Sequence, residues 1–443
     1  MVGRVLVGLR RVVPLSGGVA ATVQTVVINN LLLGLNFGTG IITARLLGPE
    51  GRGVLAAMQM WPPFLAYTFT LGLPSALLYN LRRHPERGSQ LFLVALLLGT
   101  LMGLLATLVG VLFIPHWLPE YSQEVVRSAQ WLMITAPAVL LATMCTAALQ
   151  AQEEFTLYNA ARYLVPLLIL LALGTLALVW DLTPFNAALS YLLAGMPVLV
   201  WMLVRLWRHY HPTWRGLSPA FKYLISYASR SSVGEVGGYL SSQVDRVLLV
   251  GLVNPVAMGL YVVAWSVSDM LTAFPSAVVT VLFPKASGRT VEEAVYVTGR
   301  VVRVTIAATV PTAAGLALFS PWALRLVYGE EYLDATLIFR LLLLVKVLSG
   351  TRWVLSQAFM AVNRPGVVSV LQGIGVSLSV LLLLILVPLY GLEGAGLALL
   401  ISSIIRLVIT IACFPLVLKV RAPRLLLTRA DLAAILYRGE ERP

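Results

Sequence analysis

The amino-acid sequence predicts an all-α polytopic membrane protein with about 12 transmembrane helices, arranged as two pseudo-symmetric six-helix lobes. Composition is the first reason, because 59% of the 443 residues are hydrophobic, 12% are charged and the mean hydropathy is +0.87. Soluble domains are only about 45–50% apolar. The second reason is the length of the apolar runs, and the third is a repeat that relates the two halves of the chain.

The apolar runs have the length that a bilayer requires. A hydrocarbon core of about 30 Å needs roughly 20 apolar residues in a helix. Short segments with turn residues, such as Gly48-Pro49 and His211-Pro212, separate the runs. The predicted spans are 19–46, 53–81, 89–114, 125–150, 155–180, 185–207, 221–252, 257–284, 294–319, 335–361, 365–389 and 393–418.

Basic residues predict the orientation and the domain limits. Arginine and lysine cluster before the first span and after spans two, six, eight and twelve, which places both termini in the cytoplasm. The predicted order is a cytoplasmic interfacial segment (1–18), an N-terminal lobe (19–208), a cytoplasmic linker (209–220), a C-terminal lobe (221–418) and a basic amphipathic cytoplasmic tail (419–443).

Several function classes are not expected. Cys145 and Cys413 lie in apolar runs without a second ligand at metal spacing, so neither a metal site nor a disulfide is predicted. The arginines sit in short loops between apolar runs, which disfavours nucleic-acid binding. The four histidines lie in loops and no acidic pair accompanies them, so no catalytic residue and no cofactor is predicted, and an enzyme is not expected.

The two halves of the chain share a corner motif. LLGPEGRGVLAA at 46–57 resembles LVNPVAMGLYVVA at 252–264, and Pro49 and Gly53 each recur 206 residues later, as Pro255 and Gly259. Further weak matches follow in the same order, which indicates a duplicated six-helix unit. Gly48-Pro49 is expected to form the turn, and Gly51 and Gly53 to allow tight packing.

A family resemblance rests on three segments, ARLLGPEGRGVLAA, DRVLLVGLVNPVAMGLYVVA and FPSAVVTVLFPKAS. With two six-helix halves, they resemble the polysaccharide transporter branch, the Wzx-like oligosaccharide flippases, of the multidrug/oligosaccharidyl-lipid/polysaccharide exporter superfamily. The resemblance implies two lobes around a central cavity, alternating access, and an undecaprenyl-diphosphate-linked glycan as cargo. It also implies a monomer in the bacterial cytoplasmic membrane, among membrane lipids.

Charged residues inside the predicted spans are the candidate site. Ionisable groups in a membrane usually face a cavity or a partner, and arginine matches phosphate bidentately. The proposed substrate-binding bases are Arg230 and Arg246 in span seven and Lys346 and Arg352 in span ten. Ion pairs with neighbouring helices are the alternative. Arg162 and Arg406 are further candidates that the pattern does not place on a cavity face.

The acids of the second half are predicted as counter-ions or as ion-coupling groups. Glu235, Asp245 and Asp269 are the candidates, and Asp269 is expected to neutralise Arg230 or Arg246. Coupling to a proton or to Na⁺ is the alternative role. The only acidic residues within 16–119 are Glu50 and Glu86, and both lie in predicted loops. No coupling acid is therefore predicted in this part of the first lobe.

Span one contributes amides and a terminal arginine. Asn29 and Asn36 could bind glycan hydroxyls or join helices. Arg45 ends the span, while its counterpart in the second half is Gly251. A base needed only to build the corner would recur in both halves. We therefore predict that Arg45 reaches the second half, toward Asp245, as part of an outer gate, with snorkelling to headgroups as the alternative.

Two other transport functions remain open. A cation-coupled multidrug exporter of the same superfamily would favour an acid in the first lobe and fewer bases near the cavity. A lipid II flippase is the other alternative. The bases inside the spans and the LLGPEGRG corner favour the oligosaccharide flippase.

Overall fold

The computed structural model describes residues 17–179, 181–286 and 289–425, and this part of the chain is helical without strands. Its α-helices are α1 (Gly17–Thr68), α2 (Leu73–Arg83), α3 (Gly88–Trp117), α4 (Gln123–Leu132), α5 (Ala136–Ala151), α6 (Phe155–Val179), α7 (Pro184–Leu193), α8 (Gly195–Tyr210), α9 (Leu217–Leu252), α10 (Pro255–Asp269), α11 (Ala273–Ala286), α12 (Val291–Leu318), α13 (Ser320–Val327), α14 (Thr336–Ala361) and α15 (Pro365–Cys413). Most of the predicted segments 1–18 and 419–443 lies outside the described residues.

Helix breaks occur where the sequence places glycine or proline. Gly48 interrupts α1 with φ 65°, and Gly391 interrupts α15 with φ 57°. This left-handed region is open to glycine without a Cβ penalty. Pro49 follows Gly48 at the start of the second half of α1, where a missing N–H costs no hydrogen bond. The turn predicted at Gly48-Pro49 is confirmed.

Within the described residues, 8 helical stretches are long and apolar enough to cross a membrane. Two of them, 31–68 and 365–418, contain the breaks at Gly48 and Gly391 and cover two predicted spans each. Predicted spans seven and ten form α9 and α14, which are long but too polar to be among the eight. The count of twelve spans stays a prediction.

The chain packs as two compact units that do not follow a single cut in the sequence. Among the described residues, the first unit comprises those within 1–42, 65–110 and 132–233, and the second comprises those within 43–64, 111–131 and 234–443. The lobe boundaries given above stay predictions.

In the first unit, α5 packs against α2, α6 and α8. Gly103 of α3 brings that helix close to α5, since a Cβ on Gly103 would lie 2.4 Å from Cα of Pro137. In the second unit α14 is the central helix and packs against α10, α11, α12 and α15. Its buried core includes Val302, Val354, Phe359 and Phe414. Lys346 and Arg352 of α14 are therefore half-buried among the helices of this unit, whereas Arg340 is exposed.

The two corner motifs cross each other inside the second unit. A Cβ on Gly53 would lie 1.7 Å from the carbonyl oxygen of Pro255, and a Cβ on Gly259 would lie 1.8 Å from that of Pro49. Each glycine therefore lies directly under the proline carbonyl of the other motif. The tight packing predicted for Gly53 is confirmed, and its partner is the repeat of its own motif.

Candidate functional site

Two cations of the second unit share one indole ring. The guanidinium carbon of Arg246 lies 4.1 Å from the ring centre of Trp265, and Nζ of Lys346 lies 4.7 Å from it. Cations over an indole face are attracted by its quadrupole. Arg246 also donates a hydrogen bond to Oε1 of Gln243, one turn earlier in α9. Trp265 thus holds a base of α9 and a base of α14 next to each other.

Asp269 at the end of α10 pairs with Lys346. Nζ of Lys346 lies 2.5 Å from Oδ1 of Asp269, and the two side chains are 13% and 36% exposed. Asp269 is predicted to neutralise Arg230 or Arg246, whereas the base it pairs with in the structure is Lys346. The ion pair that was the alternative for Lys346 is also present.

A second set of charges continues this network. Asp245 of α9 interacts electrostatically with Arg406, Lys346 and Arg246, and Arg406 interacts with Arg352. We call Arg246, Lys346, Arg352 and Arg406, together with Asp245 and Asp269, the cationic cluster. It contains four bases and two acids, so positive charge is in excess.

Arg406 has an unusual setting in α15. Its guanidinium lies against the backbone of Gly375, because a Cβ on that glycine would lie 2.2 Å from Nε of Arg406. The same Nε is buried and has no hydrogen-bond partner among the described residues. A buried N–H of a charged group without an acceptor costs free energy, so Arg406 can still bind an anion.

Other predicted site residues are not part of the cationic cluster. Arg230 belongs to the first unit, where its Nε donates to the backbone oxygen of Ser226 at 2.8 Å. Glu235 and Asn36 are exposed. Asn29 lies in α1, but its side chain is outside the described part of the structure. Of the predicted site residues in α9, Asp245 and Arg246 therefore belong to the cluster, and Arg230 and Glu235 do not.

Arg45 reaches the second half of the chain, but not Asp245. Its Nε donates to the backbone oxygen of Val327 at 2.8 Å, and its Nη2 donates to that of Leu326. These carbonyls end α13, where a helix has unpaired acceptors and a partial negative charge. Arg45 is therefore engaged as a helix cap, whereas Asp245 interacts with the bases of the cluster.

Tyr332 makes a second link at the same corner. Its hydroxyl donates to the backbone oxygen of Ala44 at 3.1 Å. Burial raises the pKa of Tyr332, so the hydroxyl stays protonated and available as a donor. The segment after α13 is thus joined to the first corner motif by both Arg45 and Tyr332.

Sequence reasoning missed two residues. Trp265 was not singled out, although an indole four residues from Asp269 in a predicted span was a usable signal. Arg52 was also missed. It is only 7% exposed, and its Nε and Nη1 have no hydrogen-bond partner in the described part of the chain. Its place in a glycine-rich turn gave no indication of burial.

Membrane-length helices with charges enclosed among them define a polytopic membrane protein of the transporter type. A family model described as "Polysaccharide biosynthesis protein" matches residues 42–337, which is more than half of the chain. The chain belongs to this family. The resemblance stated from the sequence is confirmed.

One curated relative is the "Probable low-salt glycan biosynthesis flippase Agl15" of Haloferax volcanii, 26% identical over 232 residues. The match covers 51% of this chain and 48% of the relative, so this chain matches about half of that protein's length.

Two solved structures have the same fold. The lipid II flippase MurJ in an inward closed conformation has a TM-score of 0.75 at 15% identity, covering 96% of this chain and 94% of that one. An inward-facing multidrug resistance MATE family transporter has a TM-score of 0.68 at 16% identity, covering 86% of this chain and 92% of that one. The predicted fold class is confirmed.

Proposed function

We propose that this protein is a flippase that moves a lipid-linked oligosaccharide across the cytoplasmic membrane for cell-surface polysaccharide synthesis. Undecaprenyl diphosphate is the expected carrier and alternating access the expected mechanism, as the family resemblance implies. The cationic cluster is the observation that supports this most directly. The curated relative is also named as a probable flippase, which supports the class of transport and not the cargo.

The cluster suits a diphosphate because its positive charge is not balanced from within. Lys346 is paired with Asp269, and Asp245 faces several bases, so two bases remain in excess. Unbalanced charge in a low-dielectric setting is expensive. A diphosphate supplies several charged acceptors, and arginine binds them in a planar, bidentate way. A neutral glycan alone would leave the excess charge in place.

The residues of the cationic cluster have different roles in binding the diphosphate. Arg246, Arg352 and Arg406 contact the diphosphate, because none of them has a carboxylate within ion-pair distance among the described residues. Lys346 adds charge and is positioned by Asp269 and Trp265. Asp245 either balances the bases between transport steps or titrates during them. Arg230, Glu235, Asn29 and Asn36 stay predicted contacts for the glycan or for a coupling ion.

Gly375 offers a test that moves a guanidinium without removing its charge. In Gly375→Ala the new Cβ would collide with Arg406, and because the colliding atoms end a flexible side chain, the fold should accommodate the change. Proteoliposomes with a fluorescent undecaprenyl-diphosphate oligosaccharide would report translocation through a membrane-impermeant quencher. We expect a loss of about tenfold, the effect of weakening one charge-assisted hydrogen bond.

Gly373→Ala is the matched control, because a Cβ there meets no atom within 4 Å. It should translocate at the wild-type rate. Equal rates in wild type, Gly373→Ala, Gly375→Ala and Arg352→Met would contradict diphosphate binding at the cluster. Parallel vesicles with lipid II or with a cationic drug identify the cargo, and imposed pH or Na⁺ gradients identify the coupling ion.

A further inference from the structure

The first unit contains a cavity that the proposed transport site does not use. Its volume is about 250 Å³, and it lies among α5, α6, α7 and α8 with Tyr67 at one side. Ligand pockets usually measure about 300–1,000 Å³. This cavity therefore has room for a segment of a chain rather than for a complete oligosaccharide.

The wall is apolar apart from three side chains. Tyr67, Tyr191 and Arg162 carry its polar groups, and Arg162 carries its charge. The threonines of the wall do not add free donors, because the hydroxyls of Thr135, Thr143 and Thr146 donate to backbone oxygens three residues earlier, at 2.6–2.9 Å. Such a wall favours hydrocarbon over water or sugar.

The long dimension of the cavity follows the helix axes of the first unit and therefore the depth of the membrane. Thr135, directly before α5, and Thr146, within α5, both line it, and the eleven residue steps between them correspond to about 16 Å of helix. That is roughly half of a hydrocarbon core of about 30 Å. Leu171 of α6 and Leu193 of α7 expose 56% and 58% of their surface, so these walls meet the bilayer on their outer sides.

Arg162 marks one end of the cavity. Its guanidinium carbon lies 5.6 Å from the ring centre of Tyr158, one turn closer to the start of α6. Arg162 is seven residues from Phe155, which is about 10 Å of helix. The adjacent helix ends carry the pair Arg205–Glu154 at 3.0 Å, on the side that the charge distribution predicts to be cytoplasmic. Arg162 therefore lies in the cytoplasmic half of this span, where a long arginine side chain can extend toward the headgroups.

We propose that this cavity binds one apolar chain of a phosphate-bearing lipid, with the phosphate at Arg162 and the chain along α5. The apolar wall, the length of one leaflet and the single charge at the headgroup end carry the inference together. The lipid is a polyprenyl phosphate or a phospholipid of the cytoplasmic leaflet. The inference does not depend on the proposed transport function, because it concerns binding in the first unit alone.

Photo-crosslinking of the full-length protein in nanodiscs tests this. One arm uses a diazirine-bearing polyprenyl phosphate and the other a diazirine-bearing phosphatidylglycerol, and mass spectrometry maps the labelled residues. We expect labels at Val139 and Ala142 with at least one probe. Arg162→Met should lower labelling by about tenfold, the loss of one charge-assisted contact, while a probe without phosphate should be unaffected by this change.

Two glycines provide a matched pair for filling the cavity. Gly195 lines it, and a Cβ there meets no atom within 4 Å, so Gly195→Leu can fill the space without a clash. Gly174 of α6 is equally open but does not line it, so Gly174→Leu is the control. Labelling should fall in Gly195→Leu and persist in Gly174→Leu. Labels elsewhere only, or equal labelling in both variants, would overturn the proposal.

The two proposals fail separately. Transport lost with cavity labels retained would contradict the flippase assignment alone. Cavity labels absent from a protein that still translocates lipid-linked oligosaccharide would contradict the cavity assignment alone. The more strongly bound probe decides between the prenyl and the phospholipid source.

Discussion

The two corner motifs of the second unit share a proline and a glycine at matching positions, but different segments of the chain pack against them. Each begins a helix at a proline and presents a glycine one turn later to the other motif. The start differs, since Gly48 adopts φ 65° whereas Asn254 caps α10 by accepting from the N–H of Ala257 at 2.9 Å. The shared prolines and glycines form the helix crossing. Gly48 and Asn254, which occupy matching positions, begin the two helices in different ways.

The covering of the corners differs most at Arg45 and Gly251, which are 206 positions apart. Arg45 reaches outward to the carbonyls of Leu326 and Val327. At Gly251 the helix end of α3 comes in directly, because a Cβ there would lie 2.8 Å from the carbonyl oxygen of Trp117. The first corner thus makes its contact through the long side chain of Arg45, whereas the second makes it through a close backbone approach that Gly251 permits. Duplicated helices can thus keep one crossing while their loops diverge.

The largest effect is expected from a methyl group at the crossing. In Gly53→Ala the Cβ would collide with the backbone oxygen of Pro255, which cannot rotate away as a side chain can. Overpacking of this kind costs about 3 kcal/mol or more. Gly259→Ala should cost a similar amount, because its Cβ would lie equally close to the backbone oxygen of Pro49. Thermal unfolding of purified protein in detergent would measure both.

Gly34→Ala is the control for this pair, because a Cβ at Gly34 meets no atom within 4 Å. It should unfold like the wild type or slightly later, since alanine favours the helix. A marked difference between Gly53→Ala and Gly259→Ala would break the symmetry that the shared motif indicates. Wild-type stability in both would show that the helices can separate without loss.

How much of this the sequence predicts depends on the kind of interaction. Hydropathy is local and additive, so the spans and the fold class follow from it. The crossing was visible as a repeat of Pro49 and Gly53, and the tight packing of Gly53 followed because glycine lacks a Cβ. That the two repeats would pack on each other was not predictable, since a repeat indicates similarity and not contact.

The partners of the charges were the part that the sequence did not predict. Helical spacing gives the face on which Arg230, Asp245 and Arg246 lie, but not the tilt and rotation of the neighbouring helix. Asp269 was therefore assigned to Arg230 or Arg246 and pairs with Lys346 instead. Backbone carbonyls leave no trace in the sequence, so Val327 could not be foreseen as the acceptor for Arg45.

An intermediate effect on stability is expected at Arg52, which allows a direct comparison of matched positions in the two corner motifs. The matched residue of the second corner is Met258, which is 1% exposed. Arg52 is nearly as buried but carries a charge with two unpartnered nitrogens. The nearby phenols of Tyr328 and Tyr332 are neutral, because burial raises their pKa, so they compensate little of that cost. Arg52→Met should therefore raise the free energy of unfolding by about 2 kcal/mol.

Arg52→Lys is the comparison variant, because it keeps the charge and should gain nothing. The two variants can be measured in the same unfolding series as Gly53→Ala. If Arg52→Met is less stable than the wild type, the guanidinium has a role in holding the corner. In that case the first corner depends on its arginine where the second depends on packing alone.

The smallest effect on stability is expected at Arg45, where the two corners differ most visibly. Arg45 is exposed, so the loss of its two hydrogen bonds in Arg45→Ala should cost less than about 1 kcal/mol. The effect on access should be larger. Ala44 is 1% exposed and should become reachable when the segment after α13 is released. An Ala44→Cys reporter in a Cys145→Ala, Cys413→Ala background, treated with a membrane-impermeant thiol reagent, measures that access.

The gate role predicted for Arg45 depends on the result of this labelling. Arg45→Lys retains a donor for the α13 carbonyls and should label slowly, like the wild type, whereas Arg45→Ala should label faster. Tyr332→Phe removes the other link, the hydrogen bond to Ala44, and keeps the buried ring. Faster labelling in Tyr332→Phe but not in Arg45→Ala would assign the closure to Tyr332. Unchanged labelling in both would leave Arg45 as a helix cap without a gate function.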